Sequence, residues 1–264
     1  MKRLFILIAI ISIFFEQQSN AQGCVAIRGL GPYSCGNGED VKDSSGWTLT
    51  ANTRYFKSYK HFVGMLEQKE RVELGTEVIN HTFGLDLFFQ KHLNNRISFG
   101  FNLPLISNAR SSLYEHGGNT GGASARKTTH SFGIGDVRGA VYYWLLDPSK
   151  GKKWNMQAGL GLKLPTGDFR YQDYFYRNDT TRTIGPVDQS IQLGDGGTGI
   201  TLELNAYYAF SHDFSMYGNF FYLSNPREQN GISTARGGVS STAQLQYGSN
   251  VMSVPDQYMY RAGI

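Results

Sequence analysis

The segment Trp154-Asn-Met-Gln-Ala-Gly-Leu-Gly-Leu-Lys-Leu164 alternates without a break. Trp154, Met156, Ala158, Leu160, Leu162 and Leu164 are apolar, while Asn155, Gln157, Gly159, Gly161 and Lys163 between them are small, polar or charged. Successive side chains of a strand point to opposite faces, so a period of two predicts a strand with one greasy and one wet side. So long a strand is unusual in a soluble sheet and suits one that crosses a bilayer at a tilt.

The same alternation recurs on both sides of this stretch, and helical stripes are nearly absent. Trp47, Leu49, Ala51, Thr53 and Tyr55 alternate with Thr48, Thr50, Asn52 and Arg54. Phe83, Leu85, Leu87 and Phe89 alternate with Thr82, Gly84, Asp86 and Gln90, and Ile97, Phe99, Phe101, Leu103 and Leu105 with Arg96, Ser98, Gly100 and Asn102. Val137, Val141, Tyr143 and Leu145 oppose Asp136, Arg138, Ala140 and Tyr142. Further on, Ile200, Leu202, Leu204, Ala206, Tyr208 and Phe210 oppose Thr201, Glu203, Asn205 and Tyr207; Phe214, Met216, Phe220 and Tyr222 oppose Ser215, Tyr217 and Asn219. Residues 257–264 begin an eighth strand.

The connections alternate between long (about 58–76, 107–131, 166–197 and 225–255) and short (92–95, 147–152 and 211–213), as in outer-membrane barrels with short periplasmic turns and long external loops. A soluble sandwich would show mixed lengths. The expected fold is therefore all-β: an antiparallel up-and-down transmembrane β-barrel over 46–264, with about eight strands visible. Counting from a periplasmic N-terminus puts Phe62, Tyr114, Tyr174 and Arg227 in external loops and Trp144, Trp154 and Phe214 in a periplasmic aromatic girdle.

Lys2 and Arg3 followed by an apolar run from Leu4 to Phe15 and by Ser19-Asn20-Ala21 read as a signal peptide over 1–21. The run is shorter than the ~20 residues of a spanning helix, and no later run approaches that length. A lipoprotein-type cut before Cys24 is the rival. Residues 22–45 form a periplasmic segment in which Cys24 and Cys35 read as a disulfide suited to an oxidising compartment; two free thiols or a metal pair are the alternatives. The chain carries 32 Gly, 16 Tyr and 17 Phe with only 17% charged residues, while its mean hydropathy is negative. This is a barrel's balance, since only alternate residues face lipid. The formal charge of +4 is dispersed rather than gathered into a stripe, which argues against nucleic acid as a partner.

Gly133-Ile-Gly-Asp-Val-Arg138, running into Tyr142-Tyr143, and Gly159-Leu-Gly-Leu-Lys-Leu-Pro-Thr-Gly-Asp168 resemble the transporter-like outer-membrane barrels of the meta-pathway phenol-degradation family, over roughly residues 130–170. The resemblance implies passage of small hydrophobic or aromatic molecules, and supplies no catalytic residues. It also implies more strands than eight, so a larger barrel truncated at its C-terminus is expected; a complete eight-stranded barrel is the alternative.

No nucleophile elbow, phosphate loop or His-Glu-x-x-His helix occurs, and the six histidines lack ligand spacing. The expectation is a non-enzyme without cofactor or metal. His130 with Ser131, or His116 with Glu115, are the nearest approach to a hydrolase site. Asp168, Asp173, Asp179, Asp188 and Asp195 could hold calcium but lack EF-hand spacing, and the aromatics among them (Phe169, Tyr171, Tyr174, Phe175, Tyr176) pack a folded loop or greet a ligand. Arg54, Asp86, Arg96, Asp136, Arg138, Lys163, Glu203 and Arg261 all take the wet phase and are the lumen candidates, as a paired structural network or as a selectivity lining. The expected partners are outer-membrane lipid, the barrel-assembly machinery and a small solute. A passive transporter or channel is the leading function, ahead of a structural or adhesion barrel and of an outer-membrane hydrolase.

Overall fold

The computed structural model describes residues 46–63, 65–114, 125–211, 213–233 and 251–264. The signal peptide, the segment 22–45 with Cys24 and Cys35, and His116 with Glu115 lie outside the described residues. The chain forms β1 (Trp47–Ser58), the short pair β2 (Phe62–Val63) and β3 (Leu66–Glu67), one helical turn α1 (Lys69–Glu73), then β4 (Ile79–His92) and β5 (Ile97–Ser112). There follow β6 (Lys127–Ile134), β7 (Arg138–Trp144), β8 (Trp154–Lys163), the pair β9 (Gln172–Tyr176) and β10 (Arg182–Pro186), and β11 (Gly199–Ala209). Last come β12 (Ser215–Ser224), the pair β13 (Gln229–Ser233) and β14 (Val251–Ser253), and β15 (Gln257–Gly263).

One antiparallel meander runs β1-β4-β5-β7-β8-β11-β12-β15, with β6 also on β5. It is strongly curled into a half-barrel of eight wall positions. Pairing ends at β1 on one side and β15 on the other. The concave face takes the even residues of β1, β4, β5 and β7 and the odd residues of β8, β11, β12 and β15, and burial alternates most regularly along β7, β8 and β15. In β8 the alternation is complete from Trp154 to Lys163.

The strands turn around at residues 93–96, 145–153 and 210–214 at one end, and at 59–78, 113–126, 164–198 and 225–256 at the other. The short turns use local side-chain bonds. Asn94 accepts from the amides of Arg96 and Ile97, and Asp147 from the amide and hydroxyl of Ser149, which holds the Asp147 carboxyl below its usual range. Gly151 then closes its turn at φ +55°, where a Cβ would strain the backbone.

Two features depart from the sequence expectation. The connection expected over 107–131 is shorter, because β5 continues to Ser112 and β6 starts at Lys127, with Ser112 opposite Lys127. That stretch is polar and shows no greasy alternation, yet a backbone ladder needs none. Second, Gly135, Asp136 and Val137 oppose only Leu103 and Pro104, since Ile134 pairs with Leu105 and Arg138 with Asn102. The extra residue is a β-bulge. Pro104 has no amide to give to a ladder, and its carbonyl accepts from Gly135 instead, at 2.9 Å. The bulge switches phase: Thr129 and Ser131 in β6 face inward as odd residues, whereas Arg138, Ala140 and Tyr142 in β7 face inward as even ones.

Candidate functional site

The concave face is built from aromatic rings laid over glycines. A Cβ on Gly100 would fall 2.5 Å from the Phe88 ring and 2.8 Å from that of Tyr142, and one on Gly159 would fall 2.6 Å from Tyr142. Phe88 and Tyr142 meet edge to face at 6.3 Å. The glycines thus let two rings lie on the wall, and the Tyr142 hydroxyl reaches Glu203 at 3.1 Å. Gly159→Val is expected to lift Tyr142 off Glu203 and to destabilise the wall by about 1–3 kcal/mol. Comparison of denaturant midpoints with the parent chain checks this, and an unchanged midpoint would refute the ring packing.

Around this layer lie Arg54, Asp86, Arg138 and Glu203. Arg138 is within electrostatic reach of Glu203, Asp86, Asp136 and Asp195, and its guanidinium carbon stands 5.3 Å from the centre of the Phe221 ring. Asp86 also acts on Arg54. Toward the short-turn end the charges give way to amides: Asn219 donates to Asn205 at 2.8 Å and Asn205 to Gln157 at 3.1 Å, with Arg261 beside Asn219 in register. Two residues lie elsewhere than expected. Arg96 sits at the short-turn end of β5, where its carbonyl accepts from the Trp144 amide and its guanidinium donates to the hydroxyl of Tyr143, a convex-face residue. Trp144 follows β7's inward phase and packs on Tyr207, so the convex aromatics at that end are Trp47, Trp154, Phe210 and Phe214.

The bulge carries the centre of the site. Asp136 accepts from the Gly167 amide at 2.9 Å, from the Asp195 amide at 3.2 Å and from the Lys163 ammonium at 3.3 Å. Lys163 bonds Asp195 as well and is only 1% exposed. Thr166 accepts from the Val137 amide and donates to the Gly135 carbonyl, at 2.9 and 3.0 Å. A Cβ on Gly194 would lie 2.4 Å from the Asp136 carboxylate, and one on Gly167 2.6 Å from the Leu193 carbonyl. The Gly133–Arg138 and Leu164–Asp168 motifs, far apart in the chain, therefore touch one another.

What they hold is a strap, residues 187–197 of the connection between β8 and β11, which folds onto the concave face. Val187 and Ile191 are fully buried, packed with Phe175. The Ile191 carbonyl accepts from Asn108 and Ser131, Ser190 Oγ from Asn80, and Asp188 pairs with Arg110 at 3.4 Å. The last long connection covers the strap from the other side, where Gln189 donates to the Ser253 carbonyl at 2.8 Å and Arg227 to that of Gly196 at 2.9 Å. Sequence reading missed Asn80, Asn108 and Arg110 and singled out Ser131 only beside His130, since polar residues in polar strands carry no signal of partners 60 to 110 residues away.

His130 and Ser131 are neighbours on β6 and so point to opposite faces: His130 is exposed, with its amide on Asp173, and Ser131 is buried against the strap. The five aspartates of 166–197 are spread among separate partners. Asp168 caps the Arg170 amide, while the Tyr114 hydroxyl and then Lys127 hold the Asp179 carboxyl low. Among the described residues no three His, Cys, Asp or Glu side chains are grouped as a metal site would need.

Comparison with protein-family models and with curated proteins finds no match for this chain.

Proposed function

We propose that the chain forms the wall of a bacterial outer-membrane barrel of the transporter-like kind its motifs resemble, and that small solutes pass passively along its concave face. The observation that carries this is the sorting of side chains over eight wall positions. Leu160, Leu162 and Ile200 stand 63, 53 and 50% exposed on the convex face, whereas Glu203 and Lys163 are buried on the concave one. In water so broad an apolar face is a liability, while against lipid it is stable. Eight strands that only half encircle their interior also leave it wider than a closed eight-stranded barrel, which side chains fill.

The full chain is expected to fractionate with the outer membrane and, once folded into liposomes, to admit small solutes and cause swelling in their isosmotic solutions. Release as a soluble protein by osmotic shock, or liposomes that stay impermeable, would sink the reading. A barrel with a purely structural role is the second reading, and the strap favours it because it occupies part of the interior. Impermeable liposomes bearing correctly folded protein would select it.

A further inference from the structure

Between the strap and the concave wall lies a cavity of about 130 Å³, near the ~150 Å³ that accommodates a benzene-sized guest. Its charged lining consists of Asp136, Asp195, Arg138 and Lys163, two acids and two bases. Lys163 is bonded to both acids, and Arg138 faces Glu203 and Asp86 as well, so both cations are committed to carboxylates and none is left over for an anion. An anionic guest would leave water without an uncommitted counter-charge to meet it, and would face the surrounding carboxylates.

The rest of the lining is suited to groups that both donate and accept. Asn102, Gln192, Asn230 and Gln257 bring amides from the wall, the strap, the last long connection and β15. Gln192 donates through Nε2 to the Val187 carbonyl at 2.7 Å, yet its Oε1 is buried and has no hydrogen-bond partner among the described residues. Pro104, Ile106 and Leu193 give an apolar floor, and no aromatic ring is among the lining residues described.

We propose that this chamber is a binding subsite for a small uncharged solute bearing several hydroxyl or amide groups, about the size of a four-carbon polyol. The family resemblance implies hydrophobic or aromatic solutes, whereas this lining offers them no stacking surface and many polar groups they would leave unpaired. The inference rests on the transport reading for the solute's route.

The test uses the full chain folded in detergent, with erythritol as probe and erythronate as the same skeleton carrying one carboxylate. Saturation-transfer NMR is expected to show contact with erythritol and little with erythronate. Gln192→Leu, which removes the strap's amide, and Gln257→Leu, which removes that of β15, are each expected to weaken erythritol binding by about tenfold. Equal contact from erythronate, or undiminished erythritol contact in both folded variants, overturns the subsite. In liposomes, erythritol is expected to enter faster than erythronate. Binding without entry would refute transport and leave the subsite standing.

Discussion

Leu160→Arg is expected to prevent assembly while Glu203→Gln leaves it intact. Leu160 projects from the convex face of β8, with Val141 and Leu202 opposite it on the neighbouring strands. An arginine there would face the hydrocarbon near mid-depth under the proposed function, at a cost of about 2–4 kcal/mol. Glu203 lies on the other face of the next strand, and glutamine keeps an oxygen for the Tyr142 hydroxyl while Asp86, Asp136 and Asp195 continue to face Arg138. Heat-modifiable gel migration reports assembly for both. Normal migration of Leu160→Arg with failure of Glu203→Gln would mean that the lipid and solvent faces are reversed; loss of neither would remove the membrane wall itself.

Lys163→Met is expected to free the strap. The lysine is buried between Asp136 and Asp195, so its removal leaves two neighbouring carboxylates without the cation that bonds them both, an arrangement that costs about 3–5 kcal/mol. Moving the strap away from the wall relieves it. Single-channel conductance should therefore rise and the melting temperature fall, and Asp195→Asn in the same chain should restore part of both because it removes the second charge. Unchanged conductance in a folded Lys163→Met protein would show that the strap does not narrow the interior.

The wall was legible because period-two alternation is a local property: β1, β4, β5, β7, β8, β11 and β12 show their faces in their own sequence, and in β8 every residue follows the pattern. What was not legible depends on partners. Phe88 and Leu223 face inward although apolar, where Gly100 and Gly199 on adjacent strands leave room for them. The phase switch at 135–137 left a trace, for a proline inside β5 and glycines at 133 and 135 are residues that mark bulges. Nothing local marked the strap, since its contacts join residues such as Asn80 and Ser190 far apart in the chain. The chamber therefore emerged only from the fold.

The strap also sets an order of events as the chain folds. Its anchors belong to β4, β5, β6 and β8, all of which precede it, so it has nowhere to dock until those four strands have found their register. Closing so long a loop is entropically slow compared with zipping neighbouring hairpins. The interior thus stays accessible to water and to proteases through most of folding, and docking of the strap is a late step that registers whether the preceding half of the wall was laid down correctly. A misregistered β5 would be detected at that step, by a strap with no seat.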